Sequence, residues 1–180
     1  RQHYKDGVAN NWTPEEVSMQ QDVEQWKTPG VITPKERELI LLNLGFFATA
    51  ESLTANNIVL AIYKHVTNPE CRQYLLRQAY EEAVHTDTFI YCCDTLGLDP
   101  EYIYTMYQHV DIIKAKDDFV VNLTKSLLNS HFEIIDIATT QTFVKDLIGF
   151  YVIMEGIFFY AGFAMMLSLI VALTLTPYLG

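Results

Sequence analysis

Cysteine is scarce in this sequence. The 180 residues contain three cysteines, Cys71, Cys92 and Cys93, and no Cys-x-x-Cys pair. An odd, unpatterned set of this kind does not form a disulfide framework, so it favours a reducing compartment and we expect a cytoplasmic protein. No secretory signal opens the chain, because residues 1–11 are polar and lack an apolar core. The chain does not begin with Met, and we expect the natural N-terminus to lie further upstream.

Basic residues are also few. There are 12 Lys and Arg against 22 Asp and Glu, which gives a formal net charge of -10. Such a balance argues against nucleic acid and against an anionic membrane surface as partners. One run of 20 residues, from Gly156 to Leu175, carries no charge and is long enough to span a bilayer. We favour a bundle helix over a membrane span, because Glu155 precedes the run at core spacing and its flanks lack a basic cluster.

Strand patterns are absent as well, and the capping signals are those of helices. Thr33 with Glu36 forms a capping box, while Asn68 and Asp99, each followed by proline, mark further helix starts. Gly97 is a stop signal. The pattern predicts an all-α bundle of four long helices, with approximate ranges 34–68, 69–96, 100–128 and 139–175.

The bundle is expected to account for most of a single domain. Half of the residues are hydrophobic, which is enough for one core in a chain of this length. Residues 1–31, which include Trp12 and Trp26, are expected to form an irregular N-terminal arm packed on the bundle. Residues 32–176 are assigned to the bundle, and residues 177–180 to a short C-terminal end.

Acidic residues occupy positions in the apolar stripes of the predicted helices. Glu51 lies in the stripe of the first helix and Glu155 in that of the fourth, while Glu82 and His85 share a face of the second. A buried carboxylate without a partner is strongly destabilising, and these stripes hold no Lys or Arg to neutralise it. A pair of metal ions accounts for the pattern, because carboxylates and one imidazole suit iron or manganese. A partly solvated core and a mistaken face assignment are the alternatives.

Three segments then resemble a known family. They are LLNLGFFATAESLTANNIVLAI, LLRQAYEEAVHTDTFIY and YVIMEGIFFYAGF, and they are similar to helices of the ribonucleotide reductase small subunit. The similarity runs from about Asn10 to Ser168. It implies a ferritin-like helical bundle whose metal pair reacts with oxygen and creates a one-electron oxidant. It also implies a homodimer and a large catalytic subunit as partner, in which the oxidant reaches a cysteine and ribonucleotides become deoxyribonucleotides.

The resemblance assigns roles to individual residues. By position, Glu51 resembles the first carboxylate ligand, Glu82 the bridging glutamate and His85 the histidine of the first Glu-x-x-His motif. Glu155 resembles a glutamate of the second half of the site. Trp12 resembles the tryptophan that relays an electron near the metal histidine, although an aromatic anchor for the N-terminal arm is the alternative.

Phe89 departs from the common pattern of this family. The radical-bearing tyrosine of the family usually lies four residues after the first metal histidine, and Phe89 stands at that position. Phenylalanine has no phenolic hydrogen to lose, so no stable tyrosyl radical can form there. One subclass carries phenylalanine at this place and stores the oxidising equivalent on a manganese/iron pair. We therefore expect a manganese/iron pair, with two irons as the alternative.

The second departure concerns the other half of the metal site. No second Glu-x-x-His motif follows, and residues 169–180 no longer resemble the family. The bundle is thus expected to be incomplete at the C-terminus, and an apolar face is expected to be exposed on the uncharged segment after Glu155. Two other functions stay open: a related dimetal oxidase that binds an apolar ligand, and an inactive truncated bundle without a complete metal site.

Overall fold

The computed structural model describes residues 1–168, and within them it contains helices and no strand. This confirms the all-α prediction. Two short 3-10 helices, Pro14–Glu16 and Tyr63–His65, and two π-helical segments, Asn57–Ile62 and Gly149–Phe159, complete the helical structure. The named α-helices are α1 Gln2–Ala9, α2 Gln20–Lys27, α3 Pro34–Asn56, α4 Pro69–Leu96, α5 Pro100–Tyr104, α6 Met106–His109, α7 Asp111–Leu128 and α8 Ile137–Ile148. After the second π-helical segment, the chain continues as α-helix to Ser168.

The predicted capping signals form as expected. The Thr33 hydroxyl accepts a hydrogen bond from the Glu36 amide, and the Glu36 carboxylate accepts one from the Thr33 amide at 2.8 Å. The Asn68 side chain accepts hydrogen bonds from the first amides of α4. Gly97 ends α4 with a φ of +68°, a left-handed conformation that glycine adopts without steric cost. These caps fix the ends of the two helices that carry Glu51, Glu82 and His85.

The third predicted helix is divided into three. Instead of one helix over 100–128, the chain forms α5, α6 and α7, with Val110 in an extended conformation between the last two. The break after α5 lies at Thr105, whose hydroxyl donates to the Glu101 carbonyl at 2.6 Å. Thr and Val lose side-chain freedom in a helix, and a threonine hydroxyl competes for backbone carbonyls. The sequence prediction of one continuous helix was therefore wrong.

The N-terminal segment is more regular than predicted. It was expected to be an irregular arm, but it contains α1 and α2, of eight residues each. Neither helix has a buried residue, so the sequence offered no apolar stripe by which to recognise them. The segment contacts α4: the His3 ring packs edge-on against Tyr74 with centroids 6.1 Å apart. The division of the chain into arm, bundle and C-terminal end stays a prediction.

Helix α3 lies at the centre of the packing. It contacts α4 and, on its other sides, α5, α6 and α7. Its buried residues include Phe46 and Phe47, whose rings pack against Phe159 from the π-helical segment after α8. Glu51 is buried within the same helix, so the core and the candidate site are built on one element.

The last described helix is long and apolar. It runs from Ile137 to Ser168, and it is the one helix among residues 1–168 whose length and composition would suffice to cross a membrane. This is weak evidence for a span, because core helices of soluble proteins meet the same criterion. About 28% of its most apolar window is buried, and Tyr160 and Leu167 are exposed. An apolar face is thus exposed up to Ser168, and the prediction for 169–175 lies outside the described residues.

Candidate metal centre

Three of the four predicted metal ligands meet between α3 and α4. Glu51, Glu82 and His85 each offer one ligand atom, and these atoms all lie within 4.8 Å of one another. His85 Nδ1 is 3.3 Å from Glu51 Oε2 and 3.2 Å from Glu82 Oε2. The two glutamates are 1% and 4% exposed. Glu82 and His85 face the same way because residues three apart lie on adjacent turns of a helix.

The electrostatics of this cluster are those of a buried acidic site. Burial raises the pKa of Glu51 to about 7, with the neighbouring Glu82 carboxylate adding to the effect and His85 opposing it. For His85, burial alone lowers the pKa, but hydrogen bonds and charge from Glu51 and Glu82 outweigh it and raise the pKa to about 10. Without an ion, the proton that His85 retains therefore supplies the positive charge beside the two carboxylates.

Glu155 lies beside the cluster and not within it. It is held in the π-helical segment Gly149–Phe159, and its buried Oε1 has no hydrogen-bond partner among residues 1–168. Burial, followed by the charges of Glu82 and Glu51, raises the pKa of Glu155 to about 8. The predicted convergence of four side chains is thus seen for three of them, with the fourth close enough to sense their charge.

A metal ion fits this arrangement. The site offers carboxylate oxygens and one imidazole nitrogen, a donor set suited to iron and manganese. Arg77, the arginine nearest in sequence to Glu82, pairs with Glu81 on the neighbouring position of α4. In the described part of the chain, His85 is the one ion-pair partner of Glu51 and Glu82. Glu155 Oε1, which has no hydrogen-bond partner among residues 1–168, offers a further ligand atom for a metal ion.

Two aromatic residues with predicted roles, Trp12 and Phe89, respectively precede and follow Glu51, Glu82 and His85 in the sequence. The Trp12 ring is tilted 34° to the His85 ring, with centroids 6.2 Å apart. Its neighbour Asn11 accepts a hydrogen bond from Arg77 at 3.0 Å, which attaches this part of the N-terminal segment to α4. Phe89, one turn after His85, stacks on Phe47 with centroids 5.3 Å apart.

Two further residues were missed by the sequence analysis. The Tyr151 hydroxyl donates to Gln78 Oε1 at 3.0 Å, and burial together with the charges of Tyr74, Glu155 and Glu82 raises the pKa of Tyr151. Its position four residues before Glu155 is a signal that could have found it. Asp117 is buried on α7. The same test that selected Glu51, an acid in an apolar stripe, would have selected it.

Comparison with known proteins agrees with this geometry. The sequence model of the family described as "Ribonucleotide reductase, small chain" matches residues 1–175. The chain belongs to that family. This small-chain homologue is 56% identical over 167 residues to the ribonucleoside-diphosphate reductase subunit beta of Chlamydia pneumoniae, covering 93% of this chain and 48% of the relative. It is 28% identical over 123 residues to the human subunit M2, covering 67% of this chain and 31% of that one.

A solved structure shows the same fold. The chain superimposes on a class I ribonucleotide reductase from Bacillus halodurans with a TM-score of 0.78 and 25% identity, over 91% of this chain and 55% of the other. The bundle is therefore the ferritin-like helical fold of the small chain. The present chain spans about half the length of these bacterial relatives.

Proposed function

We propose that this chain acts in ribonucleotide reduction as the radical-generating small subunit. The observation that carries the proposal is the cluster of Glu51, Glu82 and His85, whose ligand atoms lie within 4.8 Å of one another in a chain of the small-chain family. In this role the oxidant made at the metal centre serves a large catalytic subunit, which reduces ribonucleotides to deoxyribonucleotides.

The proposed cofactor is a manganese/iron pair, with two irons as the alternative. Glu51, Glu82 and His85 would hold one ion, and Glu155 would contribute to the second. When bound, such a pair supplies one-electron oxidising power by reacting with oxygen. The support for the mixed pair is Phe89, which stands one turn after His85 and stacks on Phe47. A phenylalanine cannot store the oxidising equivalent, so the storage falls to the metals.

The residues around the cluster have separate tasks in this proposal. Glu82 and Glu51 accept hydrogen bonds from His85 Nδ1 when no ion is bound, and His85 releases this proton when an ion binds. The ring of Trp12, 6.2 Å from that of His85, provides the path by which an electron reaches the site. The hydrogen bond from Arg77 to Asn11 holds Trp12 at this distance.

The proposed partners are the large catalytic subunit and a second copy of this chain, and the proposed location is the cytoplasm. The relatives carry the names "subunit beta" and "small chain", which imply a second kind of subunit in their assemblies. The net charge of -10 supports a soluble protein that does not bind nucleic acid.

The proposed function is tested by reconstitution. The chain is loaded without oxygen with ferrous and manganous ions, exposed to oxygen and mixed with the large subunit that pairs with the Chlamydia pneumoniae relative. We expect deoxyribonucleotide formation that is lost in Glu82→Gln and retained in Glu133→Gln, where the altered glutamate is exposed. If loaded, folded protein forms no product, the proposed function is wrong.

A further inference from the structure

A cavity lies in the bundle, and none of the proposed metal ligands lines it. It has a volume of about 490 Å³ and is lined from α3, α4, α5, α6 and α7. The residues that define its chemistry are Thr49, Thr86, Tyr104, Tyr107, Asp117 and Asp118. Neither Glu51, Glu82, His85 nor Glu155 lines it. The cavity reaches the surface, because Tyr107 at its edge is exposed.

Asp117 is the buried charge of this cavity. The side chain is on α7 and is 8% exposed, and its Oδ2 atom has no hydrogen-bond partner among residues 1–168. Burying a carboxylate oxygen without a donor is unfavourable, so a native structure that keeps one usually reserves it for a ligand or a water molecule. The hydroxyl of Tyr104, on another wall, is also buried without a partner in the described part of the chain.

The two threonine hydroxyls of the cavity offer acceptors to a ligand. The Thr86 hydroxyl donates its hydrogen to the Glu82 carbonyl at 2.9 Å. The Thr49 hydroxyl donates its own to the Gly45 carbonyl at 3.0 Å or to the Asp117 carboxylate. Each hydroxyl has one hydrogen to give, so both offer lone pairs to whatever occupies the cavity. A ligand that brings donors can therefore use these lone pairs together with the Asp117 carboxylate.

The charge of the lining points the same way. The described residues that line the cavity include Asp117 and Asp118 and no Lys, Arg or His. Lys114 pairs with Asp118 at 3.2 Å on the outer side of α7, which leaves Asp117 as the charge that faces inward. The rings of Tyr104 and Tyr107 are favourable surfaces for a cation, and Leu53 and Val121 add an apolar wall.

We propose that this cavity binds a small organic cation, a primary ammonium on a short apolar chain, with Asp117 as its counter-ion and Tyr104 as a second hydrogen-bond partner. The ammonium group supplies three donors, which the Asp117 carboxylate and the hydroxyl lone pairs of the cavity accept. A divalent metal ion is a poorer occupant, because the one group of three metal-ligating side chains found among residues 1–168 is the Glu51 cluster. The site is independent of the proposed function.

The test compares probes of one shape and different charge. Binding of n-butylammonium, 1-butanol and butyrate to the full chain is measured by saturation-transfer NMR and by calorimetry. We expect butylammonium to bind about tenfold or more tightly than butanol, since hydrogen bonds to charged groups are the stronger ones, and butyrate not to bind. Equal binding of ammonium and alcohol would show that the cavity does not select a cation, and binding of neither would show that it holds water only. Either result would overturn the proposal.

Matched variants identify the counter-ion. Asp117→Asn should reduce the preference for ammonium over alcohol to less than about twofold, since the charged partner is lost. Asp111→Asn removes the same formal charge from an exposed position on the same helix that does not line the cavity and should leave the preference unchanged. Equal losses in both variants would mean general attraction by an acidic surface, and would contradict the proposal.

A second pair keeps the test independent of Asp117 and its contribution to folding. Tyr104→Phe removes the buried hydroxyl alone and should weaken butylammonium binding severalfold. Tyr102→Phe is its control, because Tyr102 lies on the same helix, is exposed and does not line the cavity. An unchanged affinity in Tyr104→Phe, with the protein folded, would remove Tyr104 from the site.

Discussion

His85 Nδ1 lies 3.2 Å from a carboxylate oxygen of Glu82, one turn earlier on the same helix. The same nitrogen lies 3.3 Å from Glu51 on α3, so one imidazole joins acids from two helices. Each acid is almost fully buried, and such a group is stable as a metal site or as a proton-sharing cluster. The predictions below separate these two states and test the residues around them.

The metal-free protein should lose stability as pH rises from about 5 to about 8. Glu51 and Glu155 have pKa values of about 7 and 8 when folded, above their ordinary value of 4.5. Over this window the folded chain holds more protons than the unfolded chain, so stability falls with pH. His85, raised from 6.5 to about 10, contributes stability that is complete below pH 6.5 and is lost as pH rises toward 10.

Thermal unfolding with a chelator present measures this slope. Glu155→Gln should flatten the fall between about pH 5 and 8, while Glu133→Gln, at an exposed position, should leave it unchanged. Manganous ions should reverse the slope, because they bind the deprotonated ligands. A metal-free protein that gains stability between about pH 5 and 8 would contradict the raised pKa values of Glu51 and Glu155.

Phe89→Tyr should create a radical site that the unmodified protein lacks. The new phenol would lie one turn after His85, where it replaces the ring that stacks on Phe47. After loading with iron and exposure to oxygen, electron paramagnetic resonance should show a tyrosyl radical in Phe89→Tyr. Phe119→Tyr, on α7, is the control and should show none. A tyrosyl signal in the unmodified protein would rule out the assignment to the phenylalanine-bearing subclass.

Trp12→Phe should separate electron transfer from metal chemistry. The indole lies 6.2 Å from His85 and is not among the three grouped ligand residues, so metal binding and oxygen consumption should be unchanged. Product formation with the large subunit should fall to near background. Trp26→Phe changes the other tryptophan, which lies on α2 with its ring under Arg37. This variant should leave product formation unchanged. Full activity of Trp12→Phe would leave Trp12 with the role of an anchor for the N-terminal segment.

Gly162→Ala should destabilise the bundle by about 1–3 kcal/mol, the usual cost of overpacking a core. A methyl group at Gly162 would meet the ring of Phe47, and that ring is held between Phe89 and Phe163 by stacking. Gly156→Ala on the same helix is the control, because its methyl group would make ordinary contact at 3.5 Å. Chemical denaturation of both variants checks this, and equal stabilities would show that the ring can move aside.

The sequence predicted the acids better than the breaks between helices. Glu51, Glu82 and His85 were found because each lies in an apolar stripe, where a charge is costly without a partner. The sequence analysis placed Glu155 in the same cluster, but Glu155 lies in a π-helical segment. The wider turn of a π-helix changes the direction in which its side chains point, and a pattern with a period of 3.6 residues does not predict that change. The division at Thr105 depends on one side-chain hydrogen bond.

The short N-terminal helices and the Asp117 cavity show two other limits. Helices α1 and α2 bury no residue, so no hydrophobic pattern indicates them, and their contact with α4 is a tertiary effect. Asp117 does lie in an apolar stripe of α7, with Ile113 and Val120, and could have been identified. Which groups share its cavity depends on how five helices pack, and a single sequence does not contain that information.

The central claim is that Glu51, Glu82 and His85 hold a metal ion, and calorimetric titration with manganous and ferrous ions tests it most directly. Elemental analysis of the same samples counts the ions bound. We predict at least one tightly bound ion per chain in the unmodified protein and in Glu81→Gln, whose altered side chain pairs with Arg77. Binding should be lost in Glu82→Gln, which removes a carboxylate 3.2 Å from His85. Equal metal binding by Glu82→Gln and the unmodified protein would contradict the account.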